Sequence, residues 1–176
     1  LVHVGFMTGA DLFLPGRFLQ AEALCRMIAA ERPTFAGAVP TIWNDILRLA
    51  ETTPIDLSSL KRVVCGGSAV PRALMEKFQE RYGVRITQAW GMTETSPLGA
   101  IAKVPKGTPA AEEMDARSRT GRVVFGIEAR IVHEGKTQPW DGVSVGEIEV
   151  RGPWVTASYY QDPDEAKFHD GWLRTG

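Results

Sequence analysis

The stretch Leu60–Trp90, "LKRVVCGGSAVPRALMEKFQERYGVRITQAW", decides the fold. "LKRVVCGG" reads as a strand ending in two glycines. Pro71 suits the first turn of a helix, where its missing N–H has no intrahelical partner to lose. Leu74, Phe78 and Tyr82 follow four residues apart and so share one helix face. "VRITQAW" is the next strand. Strand, helix and strand in this order argue for a parallel sheet covered by helices.

The same alternation extends upstream. Gln20–Glu31 reads as a helix with Leu24, Met27 and Ile28 on one face, stopped by Pro33. "TFAGAV" is a short buried strand. Thr41 is placed to N-cap the next helix, where Ile42, Ile46 and Leu49 recur at helical spacing. Downstream of Pro97 the texture changes. Lys103–Arg119 has no period and reads as a long surface loop. "EARIVH" and "GEIEVRG" then alternate at period two, as antiparallel strands with one wet face do. The expected organisation is an α/β unit at 1–100 and a surface loop at 101–117. A partial antiparallel, barrel-like β unit at 118–153 and a segment at 154–176 returning toward the first unit complete it.

Composition narrows the function classes. Apolar residues make up 44% of the 176 and charged residues 23%, which is enough to bury a core. Twenty basic residues against twenty-one acidic give a net charge of −1, without the basic excess of a nucleic-acid binder. No apolar run reaches the roughly 18 residues of a membrane span, and no signal peptide is visible. Cys25 and Cys65 fit two buried thiols in a reducing cytoplasm. His3, His133 and His169 show no metal-ligand spacing. The chain opens in an apolar run without an initiator methionine and closes on "GWLRTG", so we expect a piece of something longer.

Two segments lie where chemistry is expected, at strand C-terminal ends: "VVCGGSAVP" and "ITQAWGMTE". Gly66 and Gly67 let a flat ligand approach the backbone. Trp90 offers a stacking face, worth about 1–3 kcal/mol per base in nucleic-acid cases. Gln88 carries the donor and acceptor that a purine edge needs. Thr93 can donate to a phosphate oxygen, and Glu94 is a hard oxygen ligand suited to Mg2+. Each alone has a plainer reading: Gly-Gly as a turn, Trp as core, Thr-Glu as a helix start. The combination is what points to a nucleotide. Neither G-x-x-x-x-G-K-[ST] nor G-x-G-x-x-G is present. Ser68 raises a different class, a serine hydrolase, with Asp141, Asp162 or Asp164 and then His169 following in triad order. Val70 stands where that motif needs glycine.

"QAWGMTETSP" resembles the signature of the adenylate-forming superfamily, which includes acyl-CoA synthetases and peptide-synthetase adenylation domains. "LVHV", "AGAVPTIW", "VVCGGSAVP", "TGRVVFGIEARIV" and "GEIEVRGPWVTASYYQDPDEAKFHDGWLRTG" resemble further segments of it in the expected order. Trp90, Met92 and the following Thr-Ser-Pro resemble the fatty-acid type of acyl-CoA synthetase. The resemblance implies a two-step ligation of a carboxylic acid, using ATP, Mg2+ and CoA, by way of an acyl-AMP. It implies Thr93 and Glu94 as catalytic, with Glu94 on the metal. Gly66, Gly67, Ser68, Gln88, Ala89, Trp90, Gly91, Met92 and Thr93 then face the nucleotide, and His3, Gly67 and Gly91 the acyl group. A carrier-protein thiol is the alternative acceptor.

The family's phosphate loop would precede Leu1, and its ribose-binding Asp would follow Gly176. Val123 and Phe125 replace residues that the family often has as proline. We therefore expect the middle of a ligase, inactive alone, with exposed sheet edges that invite dimerisation.

Overall fold

A computed structural model describes the backbone of residues 2–162 and 164–176, and the side chains of residues 5–162 and 164–176. The chain forms two compact units, Leu1–Thr87 and Gln88–Gly176. The division falls inside a strand.

The first unit contains α1 (Val2–Thr8), α2 (Ala21–Glu31), β1 (Phe35–Ala38), α3 (Pro40–Thr52), β2 (Arg62–Cys65), α4 (Arg72–Tyr82) and the start of β3 (Arg85–Trp90). β1 and β2 are parallel, with Phe35 opposite Arg62 and Ala38 opposite Cys65. Of the apolar faces expected from helical spacing, Leu24, Ile28, Ile46, Leu74 and Phe78 are buried, whereas Met27, Ile42, Leu49 and Tyr82 are only partly so and α3 buries Trp43, Leu47 and Ala50 instead. Trp43 and Phe78 meet edge to face, with centroids 5.6 Å apart. Such pairs add about 0.5–1.5 kcal/mol beyond the area they bury. The start of α3 differs from expectation. Pro40 is already helical, Val39 holds the cap position without a side-chain hydrogen bond, and Thr41 lies inside the first turn. Proline at that position needs no donor partner, which explains why a hydroxyl cap is dispensable here.

In the second unit the end of β3 pairs antiparallel with β4 (Ala100–Ile101), and β4 with β5 (Arg122–Val123). The fold class is thus α/β with a mixed sheet, parallel in the first unit and antiparallel in the second. A further sheet runs in the order β7-β6-β8-β10-β9, from β6 (Glu128–His133), β7 (Lys136–Gln138), β8 (Glu147–Arg151), β9 (Phe168–His169) and β10 (Trp172–Arg174). It is an open antiparallel sheet with β7 and β9 as edges, not a barrel. Its core is Ile127, Val150 and Leu173, with Trp90, Met92 and Phe168 among the side chains packed on it.

Two expectations are corrected in this unit. The stretch read as a surface loop contains α5 (Ala110–Ser118). Glu112 and Glu113 sit in its first turn and Arg117 in its last, as the helix dipole favours. Arg117 is 3% exposed and lies 3.8 Å from Glu113, so a residue counted as surface charge is an inward one. The wet face of β8 is wet only in part: Arg151 is exposed, but its neighbour on that face is not. Glu149 is fully buried beneath Arg130 at 2.6 Å, His169 at 3.0 Å and Arg174 at 3.3 Å. Burial pushes this carboxyl up, but hydrogen bonds from Arg130 and His169 outweigh it and hold the group below its usual range.

Cys65 has no exposed surface and Cys25 is buried, and both are free thiols. Burial raises both, and Cys65 is pushed up to about 11. A buried thiol with little thiolate is inert. In the native state at mildly alkaline pH, an aromatic disulfide reagent is expected to leave both thiols unlabelled. The guanidinium-unfolded chain should release two equivalents. Rapid native labelling of Cys65 would contradict this packing.

Candidate active site

The site loop, Gly91–Gly99, joins β3 to β4. Gly99 N–H donates to Trp90 O at 2.9 Å, closing the loop at its base. Thr93–Thr95 forms one 3₁₀ turn, and the Ser96–Pro97 peptide is cis. Thr95 has no exposed surface. Its hydroxyl accepts from Met92 N–H at 3.0 Å and reaches the carbonyls of Pro97 at 2.8 Å and Met92 at 3.0 Å. A Cβ on Gly91 would stand 1.8 Å from the Pro97 carbonyl oxygen, so no side chain fits there. Fixed this way, the loop leaves Thr93 exposed and Glu94 half-buried beside it.

Glu94 is anchored on both its backbone and its side chain. Its carbonyl accepts from Thr156 N–H at 2.8 Å. Its Oε1 accepts from the Tyr159 hydroxyl at 2.5 Å. Lys167 Nζ donates to that same hydroxyl oxygen at 2.6 Å and lies 3.6 Å from Glu94 Oε1. The Tyr159 ring packs edge to face on Phe168, with centroids 5.1 Å apart. The Tyr159 hydrogen bond foremost, helped by Lys167, holds the Glu94 carboxyl below its usual range. It is an ionised carboxylate at neutral pH.

Gln88 is buried, and its carbonyl accepts from Ala102 N–H at 2.9 Å. Trp90 and Met92 pack on the core of the second sheet. A Cβ on Gly99 would meet the Trp90 benzo ring at 2.3 Å. Part of the Trp90 surface is therefore committed to the fold. Ala89 pairs with Ile101 in the β3–β4 ladder. In the first unit, Gly66, Gly67 and Ser68 lie just past the end of β2, with Gly67 and Ser68 exposed. Gly67 has φ +87°, and a Cβ there would meet Val39 at 3.2 Å, so the turn itself calls for glycine. The side chain of His3 lies outside the described residues. Of the partners offered to Ser68, His169 has its Nε2 3.0 Å from both Glu149 and Arg174. Asp141 accepts from the backbone N–H groups of Ser144 and Val143, which pull its carboxyl down to about 2.

Among the described residues, no group of three or more His, Cys, Asp and Glu could cage a metal. A single hard carboxylate with a neighbouring hydroxyl fits instead a Mg2+ that arrives with nucleotide phosphates and keeps its waters. Sequence reasoning missed Tyr159, Lys167 and Thr95. The first two lie more than 60 residues beyond Glu94, and no local pattern couples them to it.

The family model described as AMP-binding enzyme matches residues 1–160, and the chain belongs to that family of adenylate-forming enzymes. It is 43% identical over 97% of its length to the 3-methylmercaptopropionyl-CoA ligase of Ruegeria lacuscaerulensis, of which it covers 32%. It resembles the o-succinylbenzoate CoA synthetase of Bacillus subtilis bound to its acyl-adenylate OSB-AMP, with a TM-score of 0.78 and 28% identity, covering 99% of this chain and 34% of that one. The same enzyme with ATP and magnesium ion matches with a TM-score of 0.70 and 29% identity, over 89% of this chain and 31% of that one. The chain thus spans about a third of the length of the relatives it matches.

Replacing Thr95 by Val keeps the shape and deletes the hydroxyl. Met92 N–H and Pro97 O then lose a partner, a cost of about 1–3 kcal/mol for buried polar groups. Urea unfolding is expected to show that loss for Thr95→Val and little of it for Thr95→Ser. Equal stability of the two variants would sink the role of the hydroxyl.

Proposed function

We propose that the protein carrying this chain is an ATP-dependent acid–thiol ligase. It activates a carboxylic acid, of the fatty-acid class, as an acyl-adenylate and passes the acyl group to the thiol of CoA. The observation that carries this reading is the Thr93–Glu94 pair. A buried threonine knot presents that pair at the end of β3, in a chain whose relatives are CoA ligases.

In the first step a carboxylate oxygen attacks the α-phosphorus of ATP. The bond to the bridging α–β oxygen breaks, and pyrophosphate leaves with its electron pair. In the second step the thiol sulfur attacks the acyl carbon, the carbonyl carbon–oxygen bond to AMP breaks, and the thiol proton passes to solvent. The Thr93 hydroxyl, exposed and unencumbered by the loop's own packing, donates to an α-phosphate oxygen as charge grows there. Glu94 holds Mg2+, which when bound neutralises charge on the phosphates. Gln88, Ala89, Trp90, Gly91 and Met92 of the second unit contact the nucleotide. Gly91 contacts the acyl group. Among the described residues no helix is long and apolar enough to cross a membrane. Buried free thiols fit a reducing cytoplasm. Self-association through the open sheet edges belongs to the same reading and is settled by sedimentation.

In the full-length protein, Glu94→Gln keeps an acceptor for Tyr159 but removes the charge. Acid-dependent ATP–pyrophosphate exchange is expected to fall by about 10²–10³, the size of losing one electrostatic contact to a transition state. Unchanged exchange would refute the assignment. A thioester formed with a carrier-protein thiol and not with CoA would redirect the second step.

A further inference from the structure

We propose that Tyr159 is a positioning residue for the cation ligand, aiming and insulating the Glu94 carboxylate. The proposal rests on the reading of Glu94 as the Mg2+ ligand.

The hydrogen-bond arithmetic sets the direction of the chain. A lysine ammonium has only donors, and a carboxylate has only acceptors. Lys167 Nζ lies 2.6 Å from the Tyr159 oxygen and that oxygen lies 2.5 Å from Glu94 Oε1. Lys167 therefore donates to Tyr159, and the one hydroxyl proton of Tyr159 points at Glu94. The proton has no second direction to take while the ammonium occupies the oxygen. Hydrogen bonds aligned head to tail polarise and strengthen one another. The Tyr159 ring is itself held on Phe168, so the hydroxyl is a fixed point rather than a mobile one.

Tyr159 and Lys167 both meet the carboxylate on Oε1. A rigid donor on one oxygen fixes the rotation of the carboxyl plane, and with it the direction of the other oxygen. A cation that demands near-ideal geometry benefits from that fixed direction. Distance adds a second effect. The ammonium is 3.6 Å from Glu94 Oε1 but 2.6 Å from Tyr159. The hydroxyl transmits hydrogen bonding to the carboxylate and keeps the positive charge one step back. Without it, Lys167 can close on Glu94 directly and compete with the incoming cation.

Tyr159→Phe removes only the hydroxyl and retains the contact with Phe168. The test is Mn2+ binding to the full-length protein, followed by electron paramagnetic resonance in the presence of α,β-methylene-ATP. Tyr159→Phe is expected to raise the Mn2+ Kd about tenfold, the scale of one hydrogen bond to a charged group. Adding Lys167→Met to Tyr159→Phe is expected to recover part of that loss by removing the competitor. In a Glu94→Gln background, Tyr159→Phe should change nothing further. An unchanged Kd in Tyr159→Phe, with Glu94→Gln clearly weakened, overturns the proposal. So does a Tyr159→Phe loss that persists undiminished in the Glu94→Gln background, which would mark a merely structural tyrosine. If Glu94→Gln itself binds Mn2+ normally, the reading of Glu94 fails, and the proposal fails with it for a separately visible reason.

Discussion

The Thr95 hydroxyl is the constraint on which the site depends. A loop that turns a strand back on itself has to satisfy its own backbone groups while facing its functional residues outward. Here one buried hydroxyl takes the Met92 N–H and reaches the Pro97 and Met92 carbonyls. Gly91 gives the Pro97 carbonyl room. With that knot tied, Thr93 is left to solvent and Glu94 is delivered to Tyr159 at 2.5 Å. The geometry of Thr93 and Glu94 is inherited from a third residue, buried within the loop.

Loop closure and core packing are coupled through β3. The Trp90 carbonyl accepts the hydrogen bond that closes the loop, and the Trp90 side chain packs on Ile127, Val150 and Leu173. A residue read as a stacking wall is thus also a core residue. The two readings are compatible, because a tryptophan ring has two faces and an edge, and only part of it is covered. The cost is adaptability: a ring braced on Gly99 cannot swing to meet ligands of different shape.

Legibility from sequence follows how local the cause is. β2, α4 and β3 were readable because their burial is periodic and α4 opens at Pro71. α5 was not, because its buried residue is an arginine, and a charge pattern alone does not say which charges turn inward. Glu149 failed the same way: period two assigns it to a wet face, yet Arg130, His169 and Arg174 close over it. Within the site loop, composition drew attention to Thr93 and Glu94, which the structure leaves exposed and half-buried. It passed over Thr95, since a hydroxyl that ties backbone looks identical in sequence to one that meets a ligand. Tyr159 and Lys167 depend on tertiary folding across more than 60 residues, which no spacing rule encodes.

The two enclosed carboxylates of the second unit show why only one of them suits a cation. Glu149 has no exposed surface and three basic side chains within 3.3 Å. Its charge is needed where it is, since losing a partner of a buried ion pair leaves the remainder uncompensated. A metal could reach it only by dismantling the β6–β8–β10 corner. Glu94 retains a 14% exposed side chain, takes a neutral hydroxyl as its nearest partner, and has its one ammonium held a step away by that hydroxyl. Its negative charge is stabilised enough to stay ionised, with a single ammonium at 3.6 Å against the three basic side chains around Glu149. The difference between the two carboxylates is here a tyrosine hydroxyl that takes the closest contact of both the acid and the base.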